Sequence, residues 1–399
     1  MPVSSQRCAV NIAFVFSDAL SATQDWSDLS AQRTQMLAIA RELGKEHKVT
    51  VYTRRASDSG KARVRVAHGV TMEHLAVGPA EDLSEDDVLR HLSGFGTELT
   101  RRWSQDRPDV VHACSWTAGL AAIAGADGLS IPVVQGFICE STDPRKARLQ
   151  RAISRRAGAV VAGCGGEESE LIRMGVPRRN IAVVPCGIDV ERFRRQGPAA
   201  PRGTRSRLLH VGPLSEGKGV LTAIRALEGV PDAELLVAGG PAAADLEHDA
   251  DAHRAMMLAK ELGVEDRVTL LGQVAHASVP KLMRSADVVV SLPREAAAGV
   301  VALEAMACGV PVVASAVGAH TDSVVDGVTG LLVAPDRPAQ TARLVRELLA
   351  DPTRRTALGF AGADRVRSRY SWERISQELL RVYGDVVPAE ARTLQPSAA

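Results

Sequence analysis

An α/β architecture with two doubly wound parallel sheets is predicted by three features of the 399-residue chain. Short, almost continuously apolar runs alternate with helical patterns from one end to the other. The alternation breaks once, at a stretch rich in Pro, Gly and Arg, and then restarts. The length fits two domains of ordinary size.

In the first half the runs are VNIAFVF (10–16), KVTVYT (48–53), DVVHA (109–113), IPVVQGF (131–137), GAVVAG (158–163) and IAVVPC (181–186). A helical stretch, SAQRTQMLAIARELGK (30–45), follows the first run. Apolar runs without alternation belong to parallel strands covered on both faces. Strand–helix repetition makes a doubly wound domain. RRQGPAAPRGTRS (194–206) has no periodicity and reads as a linker. Beyond it come LLHVG (208–212), AELLVAGG (233–240), RVTLLG (267–272), DVVVSLP (287–293), PVVAS (311–315) and TGLLVAP (329–335). Two α/β units of similar size, hinged at the linker, are expected. Open parallel sheets bind ligands beyond the carboxyl ends of their strands, and two such sheets facing each other would enclose a cleft. The tail beyond about residue 386 is expected to be disordered.

Composition excludes several function classes. The chain is 45% hydrophobic and 24% charged, with 48 Lys+Arg against 47 Asp+Glu, so nothing draws it toward nucleic acid. Aromatic residues are 3%, too few for a base-stacking platform. The six cysteines (Cys8, Cys114, Cys139, Cys164, Cys186 and Cys308) are scattered. They read as reduced thiols of a cytoplasmic protein. The apolar run before Asp18 is too short for a signal peptide or a membrane span.

HVGPLSEGKGVLTAIRAL (210–227) reads as strand, glycine-rich turn and helix. Gly212, Gly217 and Lys218 nearly spell a P-loop, but Gly219 stands where a hydroxyl would hold Mg²⁺. A P-loop NTPase is therefore disfavoured. A helix N-terminus beside Lys218 would suit a phosphate or diphosphate; the plain alternative is a glycine turn with a solvated lysine. REAAAGVVALEAMACGVPVVAS (294–315) places two acids, Glu295 and Glu304, in a small and apolar stretch. Gly299 ends a loop, and the helix from Val300 would offer free N–H groups to anions or hydroxyls. Leu303 and Met306 argue that Glu304 is buried, and a buried carboxylate facing a cleft suits a vicinal diol such as ribose.

These motifs, with LLVAGGP, DRVTLLGQV (which contains Val274) and VVDGVTGLLV, resemble the donor domain of family 4 nucleotide-sugar glycosyltransferases. IAVVPCGIDVERF (181–193) resembles the end of that family's N-terminal domain, and YSWERISQELLRVY (370–383) its last helix, which crosses back onto that domain. PDVVHACSW (108–116) and RTQMLAIARELGKEHKVTVYTRR (33–55) fit more loosely. The resemblance implies a GT-B fold, two Rossmann-like domains facing a central cleft. Residues 1–196, joined by a crossover helix at about 371–386, would take the acceptor. Residues 197–370 would take a nucleotide-diphosphate sugar, and 387–399 would be a disordered tail. It implies sugar transfer to a small-molecule or lipid acceptor, with retention and without a bound metal or other cofactor. Lys218 and Glu295 would be catalytic. Gly212, Lys218, Gly219, Val274, Gly299, Val300, Val301 and Glu304 would hold the donor, Glu304 on the ribose.

The sequence departs from the family at four places. Pro213 stands at the position of an Arg that shares the diphosphate, Ile138 at that of a His near the reacting centre, and Ser30-Ala31 at a Gly-Gly pair. Aligned on Gly299, Ala296 occupies the place of the first acid of a Glu-x₇-Glu motif, and Glu295 lies one residue early. Losing one charged hydrogen bond lowers binding or rate roughly 10–100-fold. Arg33 or Lys146 could compensate. The departures support a rival reading, a catalytically silent GT-B partner or regulatory protein.

The basic stretch 141–158 carries Arg148, Arg151 and Arg155 on one face and could meet a membrane surface, but the neutral net charge favours a solvated face. His112 could line an acceptor site or be a satisfied core histidine. His248, Asp249 and His253 read as surface residues.

Overall fold

The computed structural model describes residues 9–20, 31–55, 57, 61–81, 83–136, 143–296 and 298–387. The expected positions Ser30 and Ile138, with Cys8, Cys139 and the tail from 388, lie outside these. The chain divides into two compact units, Met1–Val184 with Ile375–Ala399, and Pro185–Arg374.

In the first unit the strands are β1 (Asn11–Ala19), β2 (Lys48–Arg54), β3 (Arg63–Ala67), β4 (Val70–Leu75), β5 (Val110–Ala113), β6 (Val133–Gly136), β7 (Ala159–Ala162) and β8 (Ile181–Val183). The helices are α1 (Ala31–Leu43), α2 (Glu85–Trp103), α3 (Trp116–Ala126), α4 (Pro144–Arg156) and α5 (Gly165–Arg173). The strands form one sheet in the order β3-β4-β2-β1-β5-β6-β7-β8, parallel except for the β3–β4 pair. α2 shows why its residues make a helix. Ser84 caps it, three acids fill its first turn and two arginines its last. Its buried Val88, Leu92, Phe95, Leu99 and Trp103 recur at helical spacing and pack with α3 onto the sheet. The basic face of α4 is solvated as expected, with Arg148, Arg151 and Arg155 exposed and Ile153 buried.

The second unit contains β9 (Ser206–Val211), α6 (Val220–Glu228), β10 (Ala233–Ala238), α7 (Ala250–Glu261), β11 (Val268–Gly272) and α8 (Val279–Ser285). It continues with β12 (Val288–Ser291), α9 (Val300–Ala307), β13 (Val312–Ser315), α10 (Ala319–Ser323), β14 (Leu331–Val333), α11 (Pro338–Ala350) and α12 (Pro352–Arg369). The six strands run parallel in the order β11-β10-β9-β12-β13-β14. Successive side chains of a strand point to opposite faces. Leu208, Val288 and Val313 join a core with α6, α7 and α11, whereas Leu209, Val289 and Val312 join another with α9. Both faces are covered, which is why these strands read as unbroken apolar runs.

Two expectations change. The chain passes from the first unit to the second at Val184/Pro185, earlier than the expected boundary at 196. Ile188 and Phe193 are buried in the second unit's core, and the Ile188 N–H donates to the Tyr370 carbonyl at 2.7 Å. The Pro/Gly-rich stretch 194–206 is irregular but docked. Arg284 donates to the carbonyls of Arg194 and Pro198, and Ala200 N–H donates to Lys281 O. The last helix, α13 (Trp372–Val386), starts in the second unit and continues in the first.

In the first unit α13 is held by a buried polar contact. Tyr383 Oη lies 2.9 Å from His112 Nδ1, and the imidazole stacks on Phe14. His112 is fully buried, so it is a core histidine, with Nδ1 partnered by Tyr383 and Nε2 left without a hydrogen-bond partner among the described residues. Burial pushes its pKa down to about 3. In the second unit, His210 is likewise buried, bonded through Nδ1 to the Val290 carbonyl, and pushed down to about 4.

A stability prediction follows from these two rings. Their folded pKa values lie below the unfolded value of about 6.5, so the unfolded chain binds the extra protons. Their stabilising effect is complete above pH 6.5 and drains as pH falls toward 4 and 3. Urea unfolding between pH 7.5 and 5 should show stability falling by up to about 1.4 kcal/mol per pH unit per histidine. His112→Gln should flatten that slope in the transition of the first unit. An unchanged slope would rule out neutral burial of His112.

Candidate active site in the second unit

With the strand order of the second sheet, the switch of winding direction falls between β9 and β12, where an open α/β sheet presents its ligand crevice. The two loops that leave the carboxyl ends of these strands, 212–219 and 292–299, are the two stretches the sequence singles out. They are bound to each other. Arg294 N–H donates to the Gly217 carbonyl at 2.8 Å. Arg294 also pairs with Asp336 (2.7 Å) and Glu216 (3.4 Å), which raises its pKa further.

Gly219 must be glycine on two counts. Its φ of +98° lies in the left-handed region, and a Cβ there would come within 2.4 Å of the Leu292 carbonyl. It caps α6 with no side-chain acceptor, and no acid lies in that helix's first turn. Gly299, with φ of +59°, begins α9 in the same uncapped and acid-free way. Both helices thus lack a capping side chain and an acid of their own at the sheet's ligand-binding edge, although Asp336 accepts from Thr222 Oγ1 in the first turn of α6. Lys218 is exposed beside the first, and no ion pair holds its ammonium among the described residues. The loop before Gly299 is pinned from below: Ala319 N–H donates to the Ala296 carbonyl at 2.8 Å, and a Cβ on Gly318 would strike that oxygen.

Glu304 is buried on α9, about 7.5 Å along the axis from Gly299 at 1.5 Å per residue. Burial pushes its carboxyl pKa up, and His276 and Arg192 pull it back. Its Oε1 lies 2.9 Å from His276 Nε2, and Nδ1 of that ring lies 3.0 Å from Arg192 Nη1. Val274, two residues before His276, follows β11 and packs with Val300 and Val301 against the core around Leu303.

The structure thus joins Gly212, Lys218 and Gly219 with the loop leading to Gly299, and α9 carries Val300, Val301 and Glu304 onward from it. Glu295 is exposed, whereas Ala296 next to it is buried. Pro213 is exposed. The two groups offered as compensation are committed within the first unit, Arg33 to Asp18 and Lys146 to Glu85. Sequence reasoning missed His276 and Arg192. The clue was a buried acid that needed a partner, with a histidine four residues beyond a strand end. Among the described residues no three His, Cys, Asp or Glu side chains gather as a metal site, and no helix is long and apolar enough to cross a membrane. The described cysteines, Cys114, Cys164, Cys186 and Cys308, are buried.

The fold and this site define a glycosyltransferase of the GT-B class. Residues 192–365 match the family model described as glycosyl transferases group 1, and residues 30–187 match a glycosyl transferase 4-like domain. The chain is 31% identical to D-inositol 3-phosphate glycosyltransferase of Kineococcus radiotolerans, over 91% of its own length and 92% of that protein's. The enzyme of the same name from Kribbella flavida is 31% identical over 84% of this chain and 85% of its own. Among solved structures, sucrose-phosphate synthase from Thermosynechococcus elongatus superposes with a TM-score of 0.79 at 24% identity, covering 94% of this chain and 98% of that one. Anabaena HepE in complex with UDP and glucose gives 0.72 at 19%, covering 94% and 99%. The chain belongs to the family 4 glycosyltransferases.

Two glycines of the first loop separate backbone strain from packing. Gly217 also has a left-handed φ of +79°, but a Cβ there would find only the Arg294 side chain, at 3.9 Å. Gly217→Ala should cost about 1–2 kcal/mol of stability, the left-handed penalty alone. Gly219→Ala should cost more, because the Leu292 backbone has to move. Equal unfolding midpoints for the two variants would contradict the packing.

Proposed function

We propose that this protein transfers a sugar from a nucleotide-diphosphate sugar to a small-molecule acceptor, with retention at the anomeric carbon and no divalent metal. One observation carries the reading: loops leaving adjacent carboxyl strand ends at the switch point of one sheet lead into two glycine-capped helix N-termini, and the second of these helices carries a buried carboxylate. Lys218 and the N–H groups of Val300 and Val301 neutralise the diphosphate as it departs with negative charge, the task a metal would otherwise perform. Glu304 accepts from the ribose hydroxyls, and Val274 lies against the base. Glu295 holds hydroxyls of the donor sugar. In the step itself the bond from C1 to the phosphate oxygen breaks, the acceptor oxygen bonds to C1 on the same face, and the diphosphate takes the acceptor's proton. Retention is inferred from membership of family 4. The names of the relatives support a phosphorylated polyol such as an inositol phosphate as acceptor, and the UDP in Anabaena HepE supports a uridine donor. We assign the acceptor to the first unit.

A second reading, a catalytically silent partner or regulatory protein of the same fold, is favoured by the exposed Pro213 and the buried Ala296 at two positions where the family carries donor contacts. A thermal-shift screen of UDP-, GDP-, ADP- and dTDP-sugars followed by a donor-turnover assay separates the two. Donor binding with neither hydrolysis nor transfer would favour the silent protein.

Lys218→Ala should weaken nucleotide-diphosphate binding at least tenfold by calorimetry while leaving the unfolding midpoint in place, since no arginine at 213 shares the charge. Unaltered affinity would remove Lys218 from the site. Glu304→Ala should lower donor affinity severely. Glu295→Ala should lower transfer about 10–100-fold, the worth of one charged hydrogen bond. A silent Glu295→Ala would leave the sugar's hydroxyls to backbone N–H groups. Full donor affinity in Glu304→Ala would overturn the nucleotide-sugar reading.

A further inference from the structure

Glu304 lies in surroundings hostile to an ionised carboxylate. It is buried among Leu303, Met306 and the core that includes Ile188 and Phe193. A protonated carboxyl would donate to a diol rather than accept from both of its hydroxyls. Something has to keep this acid ionised and point it.

The contacts show what does so. Arginine can only donate hydrogen bonds. Because Arg192 Nη1 lies 3.0 Å from His276 Nδ1, that nitrogen has to accept. The ring hydrogen then sits on Nε2, 2.9 Å from Glu304 Oε1, and is donated to it. The order of donors runs one way, from Arg192 through His276 to Glu304. Oε1 is engaged, while the second oxygen makes no hydrogen bond among the described residues and is left for a ligand. Local structure fixes each member. Asp189 Oδ1 accepts the N–H groups of Glu191 and Arg192 in a tight turn that sets Arg192. Phe193 packs on the imidazole at a centroid distance of 5.2 Å. His276 opens the turn that leads into α8, with Ser278 N–H bonded to the Ala275 carbonyl.

We propose that Arg192 and His276 are positioning residues. By imposing the Nε2–H tautomer on His276 they hold Glu304 as an oriented acceptor for the ribose hydroxyls of the donor. This rests on the reading of Glu304 as the ribose-binding acid. Neither residue touches the reacting atoms, so their effect falls on donor binding and on discrimination between ribose and deoxyribose.

The test is calorimetry of UDP, GDP and ADP, each beside its 2′-deoxy form, on the whole chain. The parent should prefer the ribose form of the nucleotide it binds by at least tenfold, and Glu304→Ala should abolish the preference. His276→Ala should reduce it to less than threefold, with donor KM raised about tenfold and kcat changed less than threefold. His276→Gln keeps a donor near the Nε2 position and should restore most of the preference. Arg192→Met should reduce the preference, and Arg192→Lys, which still donates, should restore it. A merely structural role would weaken both forms of the nucleotide equally. If Glu304→Ala loses the preference while His276→Ala keeps it, the relay is wrong and the donor site stands. If none of the three nucleotides binds the parent, or the parent has no preference for Glu304→Ala to remove, the donor-site reading fails and the relay with it. Should His276→Ala fail to fold, His276→Gln and the two Arg192 variants carry the same comparison.

Discussion

The Cα of Gly219 lies against the backbone of Leu292, with no room between them for a side chain. This contact is where the two halves of the second sheet's winding meet. β9 and β12 are neighbours in the sheet but far apart in sequence, and each sends its chain into a loop at the same edge. Two helix N-termini can point into one crevice only if those loops pack backbone to backbone. The bond from Arg294 to Gly217 then fixes their register. The site is therefore built from main chain first. Its side chains, Lys218 and Glu304, are added to a frame that a parallel sheet of this order supplies.

The frame also divides the electrostatic work by depth. At the rim, Lys218 is solvated and Arg294 is tied to two acids. Below it, Glu304 is buried and its carboxyl pKa is raised by desolvation against the pull of His276 and Arg192. A solvated ammonium suits a diphosphate that arrives and leaves with water. A desolvated acceptor suits a diol, because water cannot compete for it. The same burial pushes the neighbouring Cys186 thiol up to about 12, which keeps it a neutral packing group beside the acid.

Much of this was readable from residue patterns, for a physical reason. Strands covered on both faces are largely apolar, so the inner strands stand out in the sequence, and β2 and the edge strands β8, β11 and β14 carry enough apolar residues to be read with them. The β3–β4 hairpin did not, because half-exposed Arg63-Val64-Arg65 looks like surface. The two glycine loops of the candidate site were legible because glycine is required where φ is positive and backbones touch. The domain boundary was not. Proline and glycine mark irregular chain, and 194–206 is irregular, but its carbonyls are taken up by Arg284. Burial of Glu304 could be anticipated from Leu303 and Met306. Its partners could not, since Arg192 and His276 come from stretches 84 residues apart.

The helix α13 gives the first unit a peculiar place in the order of synthesis. A ribosome makes residues 1–184 first, yet that unit is completed by residues from Ile375 onward. Until Tyr383 emerges, His112 lacks the hydroxyl that meets its Nδ1, and Gly158 lacks the Val386 side chain that covers it. The second unit is one continuous segment, 185–374, and holds all the strands of its own sheet as soon as it has been made. Nascent domains ordinarily close in the order in which they are translated. The first unit has all eight strands of its sheet by residue 183, but α13 is translated only after the whole second unit. The contact between Tyr383 and His112 therefore forms only after every residue of the second unit has been translated.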